Sequence, residues 1–215
     1  MSTQWRHRVA APRFTPLLGV LIGAVGGALY WLGTQIWPTS IAVILSMLAT
    51  TLLSTVLGAG AGTAAGTNLR SWAADTGSVG VVFAILVKYN ALIALSAATL
   101  PFALPADMAL GLIMIAGHAS SRALTVSVPA SAAHPASKPA SLADIGIALA
   151  IGFAPATLIG VPGLVGLVGA ILARIAFIAY VRRRRPPVTG ADLDAIRQLT
   201  EVCFYLSVLA ARAYI

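Results

Sequence analysis

Long apolar runs, separated by short polar or proline-rich segments, make up most of the chain. No charged residue occurs between Arg13 and Arg70, and a gap of this length accommodates two membrane spans because one span needs about 20 residues. Prolines and polar clusters break the later runs in the same way. The pattern predicts a polar loop at 67–78 and seven spans, at about residues 17–37, 41–62, 79–100, 108–128, 143–159, 163–181 and 192–214.

The composition supports this interpretation. Hydrophobic residues make up 59% of the 215 positions and charged residues only 9%, whereas a soluble domain carries about a quarter charged residues. We therefore expect a single all-α domain over residues 1–215, folded as a polytopic membrane helical bundle. A signal-peptide core has about 7–15 residues, so the longer apolar run at 17–37 is expected to be an uncleaved membrane helix.

Basic residues collect in alternate loops. The loops at 67–78, 129–142 and 182–192 contain Arg70, Lys138 and the run from Arg182 to Arg185, and the opposite loops near 38–40, 101–107 and 160–162 contain neither lysine nor arginine. Loops rich in lysine and arginine stay in the cytoplasm, which predicts a cytoplasmic N-terminus. The net charge of +8 is thus interpreted as a topology signal and a contact with anionic membrane lipids, not as nucleic-acid binding.

Several ionisable residues lie inside the predicted spans, where they are costly and mark candidate functional sites. Lys88 is expected near the membrane midplane, while Arg122 and Arg174 are expected about two turns from cytoplasmic helix ends. Arg197 and Glu201 enter the last span from the same side. Together they predict a basic pocket that opens toward the cytoplasm and suits a phosphate-bearing ligand.

Three simpler interpretations remain open for these residues. Arg197 and Glu201 are four residues apart on one helix face and can pair with each other. The long side chains of Arg122 and Arg174 can extend to the lipid headgroups. His118 is expected to form a hydrogen bond between helices in preference to binding a metal.

Four segments resemble the cobalamin synthases, which are adenosylcobinamide-GDP ribazoletransferases of vitamin B12 assembly. They are Phe14 to Gly23 in the first span, Asp75 to Gly80 followed by a span with the internal Lys88, the pair Ser121–Arg122, and a C-terminal segment with Thr189, Gly190, Leu193, Ala195, Leu199, Glu201 and Phe204. The resemblance covers nearly the whole chain. One departure stands out, since residues 53–66 contain no carboxylate where the family has an acidic cluster thought to hold a divalent metal.

The resemblance implies a multi-pass enzyme of the cell inner membrane that joins α-ribazole to adenosylcobinamide-GDP and releases GMP. Its partners would be the corrinoid nucleotide, α-ribazole, membrane lipids and a possible second copy of the chain. By the resemblance, Asp75 and Glu201 would act in catalysis and Lys88 and Arg122 would bind substrate. Asp75 and Asp192, both expected in cytoplasmic loops, would hold Mg²⁺.

Two alternatives to this function remain open from the sequence. The absent acidic cluster fits a non-catalytic relative that binds or scaffolds cobamide intermediates. Hydropathy alone also fits a small membrane transporter.

Overall fold

The computed structural model describes residues 12–60, 69–97, 105–128, 140–184, 188 and 190–214. A short 3-10 helix at Pro12–Phe14 precedes the α-helices, which are α1 Thr15–Thr34, α2 Thr39–Gly60, α3 Leu69–Ser96, α4 Ala106–Val126, α5 Leu142–Thr157, α6 Val161–Arg184 and α7 Gly190–Arg212. Each predicted span overlaps one of these helices, while residues 61–62 and 98–100 of the predicted spans lie outside the described residues. No strand occurs among the residues described. The predicted all-α fold is confirmed.

The largest difference from the predicted bounds is the start of α3. This helix begins at Leu69, so the predicted loop at 67–78 is wrong for residues 69–78. The segment is polar, and we took polarity as the sign of a loop. Polarity, however, indicates only where a helix leaves the apolar region, and no proline interrupts residues 69–78. Asp75 therefore lies on α3, and Asp192 lies in the first turn of α7, so neither is in a loop.

Within the described part of the chain, four helices are long and apolar enough to cross a membrane, namely α1, α2, α4 and α6. The residues 80–96 of α3 and the helix α5 are apolar but shorter, and α7 carries several charges. Large apolar side chains such as Leu52, Val56 and Leu172 are exposed on the outside of the bundle. Because lipid tails are the natural surroundings of such a surface, the chain is a helical membrane protein, while seven full crossings stay a prediction.

Close backbone contact holds α1 against α4. Gly19, Gly23 and Gly27 recur at every fourth position on α1 and form one stripe along the helix. A Cβ atom on Gly23 would collide with the backbone of Ile115, and one on Gly27 would lie 2.8 Å from the Cα of Gly111. Small residues at this spacing let two membrane helices approach closely, which places α4 inside the bundle.

The N-terminal ends of α1 and α5 lie at the same end of the bundle. Ser141 and Asp144 form a capping box at the start of α5, and Arg13 reaches to 4.0 Å from a carboxylate oxygen of Asp144. Alternating helices require α1 and α5 to begin on one side, as they do here. That this side is cytoplasmic stays a prediction.

Candidate functional site

A buried ionic group lies where α3, α4 and α7 meet, and we call Lys88, His118, Glu201 and Tyr205 the ionic hub. Glu201 and Tyr205 are four residues apart on α7 and therefore project from the same face. On α4, Gly117 leaves room for the Tyr205 ring, because a Cβ atom there would lie 2.5 Å from a ring carbon. The local sequence of both helices thus makes space for polar groups in the bundle interior.

Glu201 is the centre of the ionic hub. The Lys88 ammonium lies 2.7 Å from its Oε1, and the Tyr205 hydroxyl donates a hydrogen bond of 2.9 Å to the same oxygen. Lys88 is only 5% exposed and Glu201 only 1% exposed. Two charges at this depth are tolerable because each is compensated by the other, and removal of either would leave an unpaired buried charge.

His118 belongs to the ionic hub but makes no hydrogen bond through its Nε2 atom. Its Nε2 lies 3.3 Å from Oε1 of Glu201, yet this nitrogen is buried and has no hydrogen-bond partner in the described structure. The distance alone would allow a hydrogen bond, but the relative orientation of the groups does not. The predicted hydrogen bond between helices is therefore not formed by this nitrogen.

Arg122 and Arg174, the two arginines predicted near the cytoplasmic ends of their spans, have different environments. Arg122 is 2% exposed, which rules out the open alternative that its side chain extends to the headgroups. It donates a 3.2 Å hydrogen bond to the Ser54 hydroxyl on α2. Arg174 donates to the carbonyl oxygen of Leu124 at 3.0 Å and to the hydroxyl of Ser127 at 2.7 Å. It thereby binds the unpaired acceptors at the end of α4.

The alternative in which Arg197 pairs with Glu201 does not hold either. Arg197 binds Asp194 instead, with 2.9 Å between its Nη1 and the carboxylate Oδ1. The Glu201 carboxylate is bound by Lys88 from α3. The Asp194 carboxylate, three residues before Arg197 on the same helix face, is available to Arg197. The Arg197–Asp194 pair lies in the first two turns of α7, whereas Glu201 lies at the middle of the helix.

Of the substrate-binding and catalytic candidates, the structure buries Lys88, Arg122 and Glu201 together inside the bundle. Asp192 is buried at the start of α7 and has an interaction partner. Asp75 is on α3, and its side chain lies outside the described residues. The roles of all five residues stay predictions.

Sequence reasoning missed Tyr205 and Ser54. Tyr205 could have been identified, because it follows Glu201 by four residues on the same helix face. Ser54 gave no such signal, since its contact with Arg122 joins residues 68 positions apart.

The described carboxylates do not form a magnesium site. Magnesium is bound through carboxylate oxygens and substrate phosphates, but no group of three His, Cys, Asp or Glu residues lies close enough to hold a metal in the part of the chain that the structure describes. Glu201 and Asp194 bind cationic side chains, and Asp144 is engaged at the start of α5. A site at Asp75 and Asp192 therefore stays a prediction.

Comparisons with known proteins agree with the resemblance seen in the sequence. The chain is 30% identical over 225 residues to an adenosylcobinamide-GDP ribazoletransferase of Shewanella frigidimarina, covering 93% of this chain and 84% of that protein. It is 32% identical over 240 residues to one of Leptothrix cholodnii, covering 97% of this chain and 87% of that protein. No solved structure matches the chain. Residues 74–210 match the family described as cobalamin-5-phosphate synthase (CobS), and the chain belongs to this family.

Proposed function

We propose that the chain is an adenosylcobinamide-GDP ribazoletransferase, which joins α-ribazole to adenosylcobinamide-GDP and releases GMP. The observation that carries this proposal is the alignment with relatives of that name, since the chain covers 84% and 87% of the length of two of them. The buried Lys88 and Arg122 support it, because cationic side chains inside the bundle can bind phosphate oxygens, and Glu201 balances the charge of Lys88. A small transporter has no such support from the comparisons.

In the proposed reaction a ribose hydroxyl oxygen of α-ribazole attacks the phosphorus that carries cobinamide. A new P–O bond forms to ribazole, the P–O bond to GMP breaks, and the hydroxyl loses its proton. Negative charge grows on the departing GMP, and fixed positive groups aimed at that charge lower the barrier. Arg122, with one guanidinium nitrogen unused, is the group we assign to the phosphate oxygens.

Glu201 has a positioning role in this proposal. Its Oε1 already accepts from Lys88 and Tyr205, so it orients the Lys88 ammonium and balances its charge. Lys88 would then contribute to phosphate binding only if its ammonium group donates hydrogen bonds to Glu201 and to the substrate at the same time.

Magnesium belongs to the proposal as an expectation from the family resemblance, with Asp75 and Asp192 as its holders. Because the described carboxylates do not form a metal site, we assign no step of the reaction to the ion. We place the protein in the cell inner membrane, with its nucleotide substrate approaching from the cytoplasm and with contacts to anionic lipids.

The direct test is GMP release by the purified full chain in detergent, measured by chromatography with both substrates present. We expect release that requires both substrates and falls when the divalent metal is chelated. Asp75→Ala should abolish release, and Arg122→Gln should lower kcat/KM about 100-fold, as for the loss of one donor to a developing oxyanion. Asp144→Asn, at the capping box of α5, is the matched control and should leave release unchanged.

One observation favours a second candidate, a non-catalytic relative. Residues 53–66 contain no carboxylate, so the acidic cluster implied by the family resemblance is absent. Binding of the corrinoid nucleotide without GMP release at any magnesium concentration would establish this candidate and overturn the first. Rescue of a bacterial strain that lacks its own synthase would decide for the enzyme.

A further inference from the structure

Buried polar atoms without partners are concentrated in three residues that border one another between α4 and α7. The Nε atoms of Arg122 and Arg197 and the Oδ2 atom of Asp194 are buried and have no hydrogen-bond partner in the described structure. Buried polar groups in folded proteins are nearly always paired. We call Arg122, Arg197 and Asp194 the arginine cluster, and its unused donors and acceptor require an explanation.

The register of the two helices brings these residues together. Helices α4 and α7 run antiparallel, and the Glu201 carboxylate lies 3.3 Å from His118. One turn toward the start of α7, four residues along each helix, the same register places Arg197 opposite Arg122. Arg197 and Asp194 are among the charges that act on Arg122, which agrees with this placement.

The arginine cluster carries an excess of positive charge. Asp194 compensates one guanidinium through its 2.9 Å contact with Arg197, and Glu201 is already paired with Lys88. Arg122 donates only to the neutral hydroxyl of Ser54 among the hydrogen bonds described. Two like charges at short range in a buried site repel each other, and an anion between them would relieve that repulsion.

We propose that Arg122 and Arg197 together bind a phosphate group of the nucleotide substrate, with Asp194 holding Arg197 in place and accepting a hydrogen bond from the ligand or its bound water. Guanidinium groups are suited to this task because their planar donors match phosphate oxygens two at a time. Arg197 and Asp194 thereby become substrate-binding and positioning residues of the proposed transferase. The identity of the ligand as the nucleotide substrate rests on the proposed function, but the existence of a phosphate site does not depend on it.

The location of the arginine cluster favours a nucleotide over a lipid as the source of the phosphate. Arg122 is 2% exposed and its guanidinium contacts Ser54 of α2, so the site faces the bundle interior. Arg122 lies about one turn from the end of α4, and Arg197 lies about two turns from the start of α7. A soluble phosphate entering from that end of the bundle would meet the two guanidinium groups before it reached the ionic hub.

The test is equilibrium binding of inorganic pyrophosphate and of GMP to the full chain in nanodiscs of neutral phosphatidylcholine. We expect both probes to bind. We expect Arg197→Gln to weaken each by about tenfold or more, because it removes a charge-assisted pair of hydrogen bonds. Arg197→Lys keeps the charge without the paired donors, so it should weaken binding less, and it serves if Arg197→Gln fails to fold. Arg184→Gln, at the exposed end of α6, is the matched control and should bind as the parent chain does.

Several results would overturn the inference. One is the absence of pyrophosphate binding, and another is equal binding by the parent chain and both Arg197 variants. If the arginine variants instead lose only co-purified phosphatidylglycerol, the phosphate belongs to a lipid and the nucleotide assignment is wrong. Pyrophosphate binding that depends on Arg197, in a chain that releases no GMP, would retain the site and overturn the proposed function alone.

Discussion

The two sides of α4 are packed by opposite means. Toward α1, glycines allow backbone to meet backbone, as at Gly23 and Ile115. Toward α7, the interface includes large ionised side chains that are almost fully buried, among them Glu201 and Arg122. Lipid tails are as apolar as the side chains they touch, so close packing and hydrogen bonds must supply the association of membrane helices.

The difference indicates where a ligand can act. Among the described residues, no buried side-chain nitrogen or oxygen of α1 lacks a hydrogen-bond partner, and a ligand could enter the glycine side only by separating the helices. The ionic side contains a satisfied pair at Lys88 and Glu201 and, one turn away, the unsatisfied arginine cluster. The Lys88–Glu201 pair can set the position of charge inside the bundle, and the arginine cluster can form hydrogen bonds with further partners.

The largest effect is expected on the ionic side, from Glu201→Gln. The substitution leaves the Lys88 ammonium buried without a counter-charge, and breaking a buried ion pair in this way costs about 3–5 kcal/mol. Unfolding of the purified chain in mixed detergent micelles, followed by circular dichroism while SDS is added, would measure it.

The matched control for that experiment removes both charges. Lys88→Met combined with Glu201→Gln leaves no unpaired ion, so more than half of the lost stability should return. If the single and double variants unfold at the same SDS fraction, then the ion pair does not control the packing of α3 on α7.

The same contrast explains which features could be predicted from the sequence. Apolar runs of sufficient length determined the number of helices and their approximate bounds, because the membrane imposes one length on every span. The start of α3 at Leu69 was missed because polarity and helix termination are different properties. Lys88 and Arg122 were identified as interior charges because a charged residue within a long apolar run is rare and is therefore easy to recognise in the sequence.

The partners of those charges could not be predicted. Lys88 binds Glu201 on a helix far along the chain, and pairing across helices depends on packing that no local spacing encodes. The local rule even gave the wrong partner, because Arg197 has two carboxylates within one turn and binds Asp194. The family resemblance identified the function, and the register of α4 against α7 was needed to infer that Arg197 faces Arg122.

A smaller loss of stability is expected on the glycine side, from Gly23→Ala. The new Cβ atom would meet the backbone of Ile115, which cannot rotate away, so α1 and α4 must separate at a cost of about 1–3 kcal/mol. The same SDS titration measures the change. Gly146→Ala on α5 is the control, because a Cβ atom there meets nothing within 4 Å; equal stability of both variants would contradict the close contact.

The smallest effect is expected from Arg174→Met. This substitution tests whether the C-terminal end of α4 needs a hydrogen-bond donor from α6, apart from its contacts with α1 and α7. Arg174 binds the carbonyl oxygens of Leu124 and Ser127. Its loss removes one hydrogen bond from each oxygen, although the Leu124 oxygen still accepts from the Ser127 hydroxyl. The side chain is only partly buried, so water or headgroups can replace it and the cost should be about 1 kcal/mol. Arg183→Met, at the exposed end of α6, should cost nothing measurable in the same titration. A loss as large as that of Glu201→Gln would mean that the anchoring of this helix end, and not the buried ion pair, dominates the stability of the ionic side.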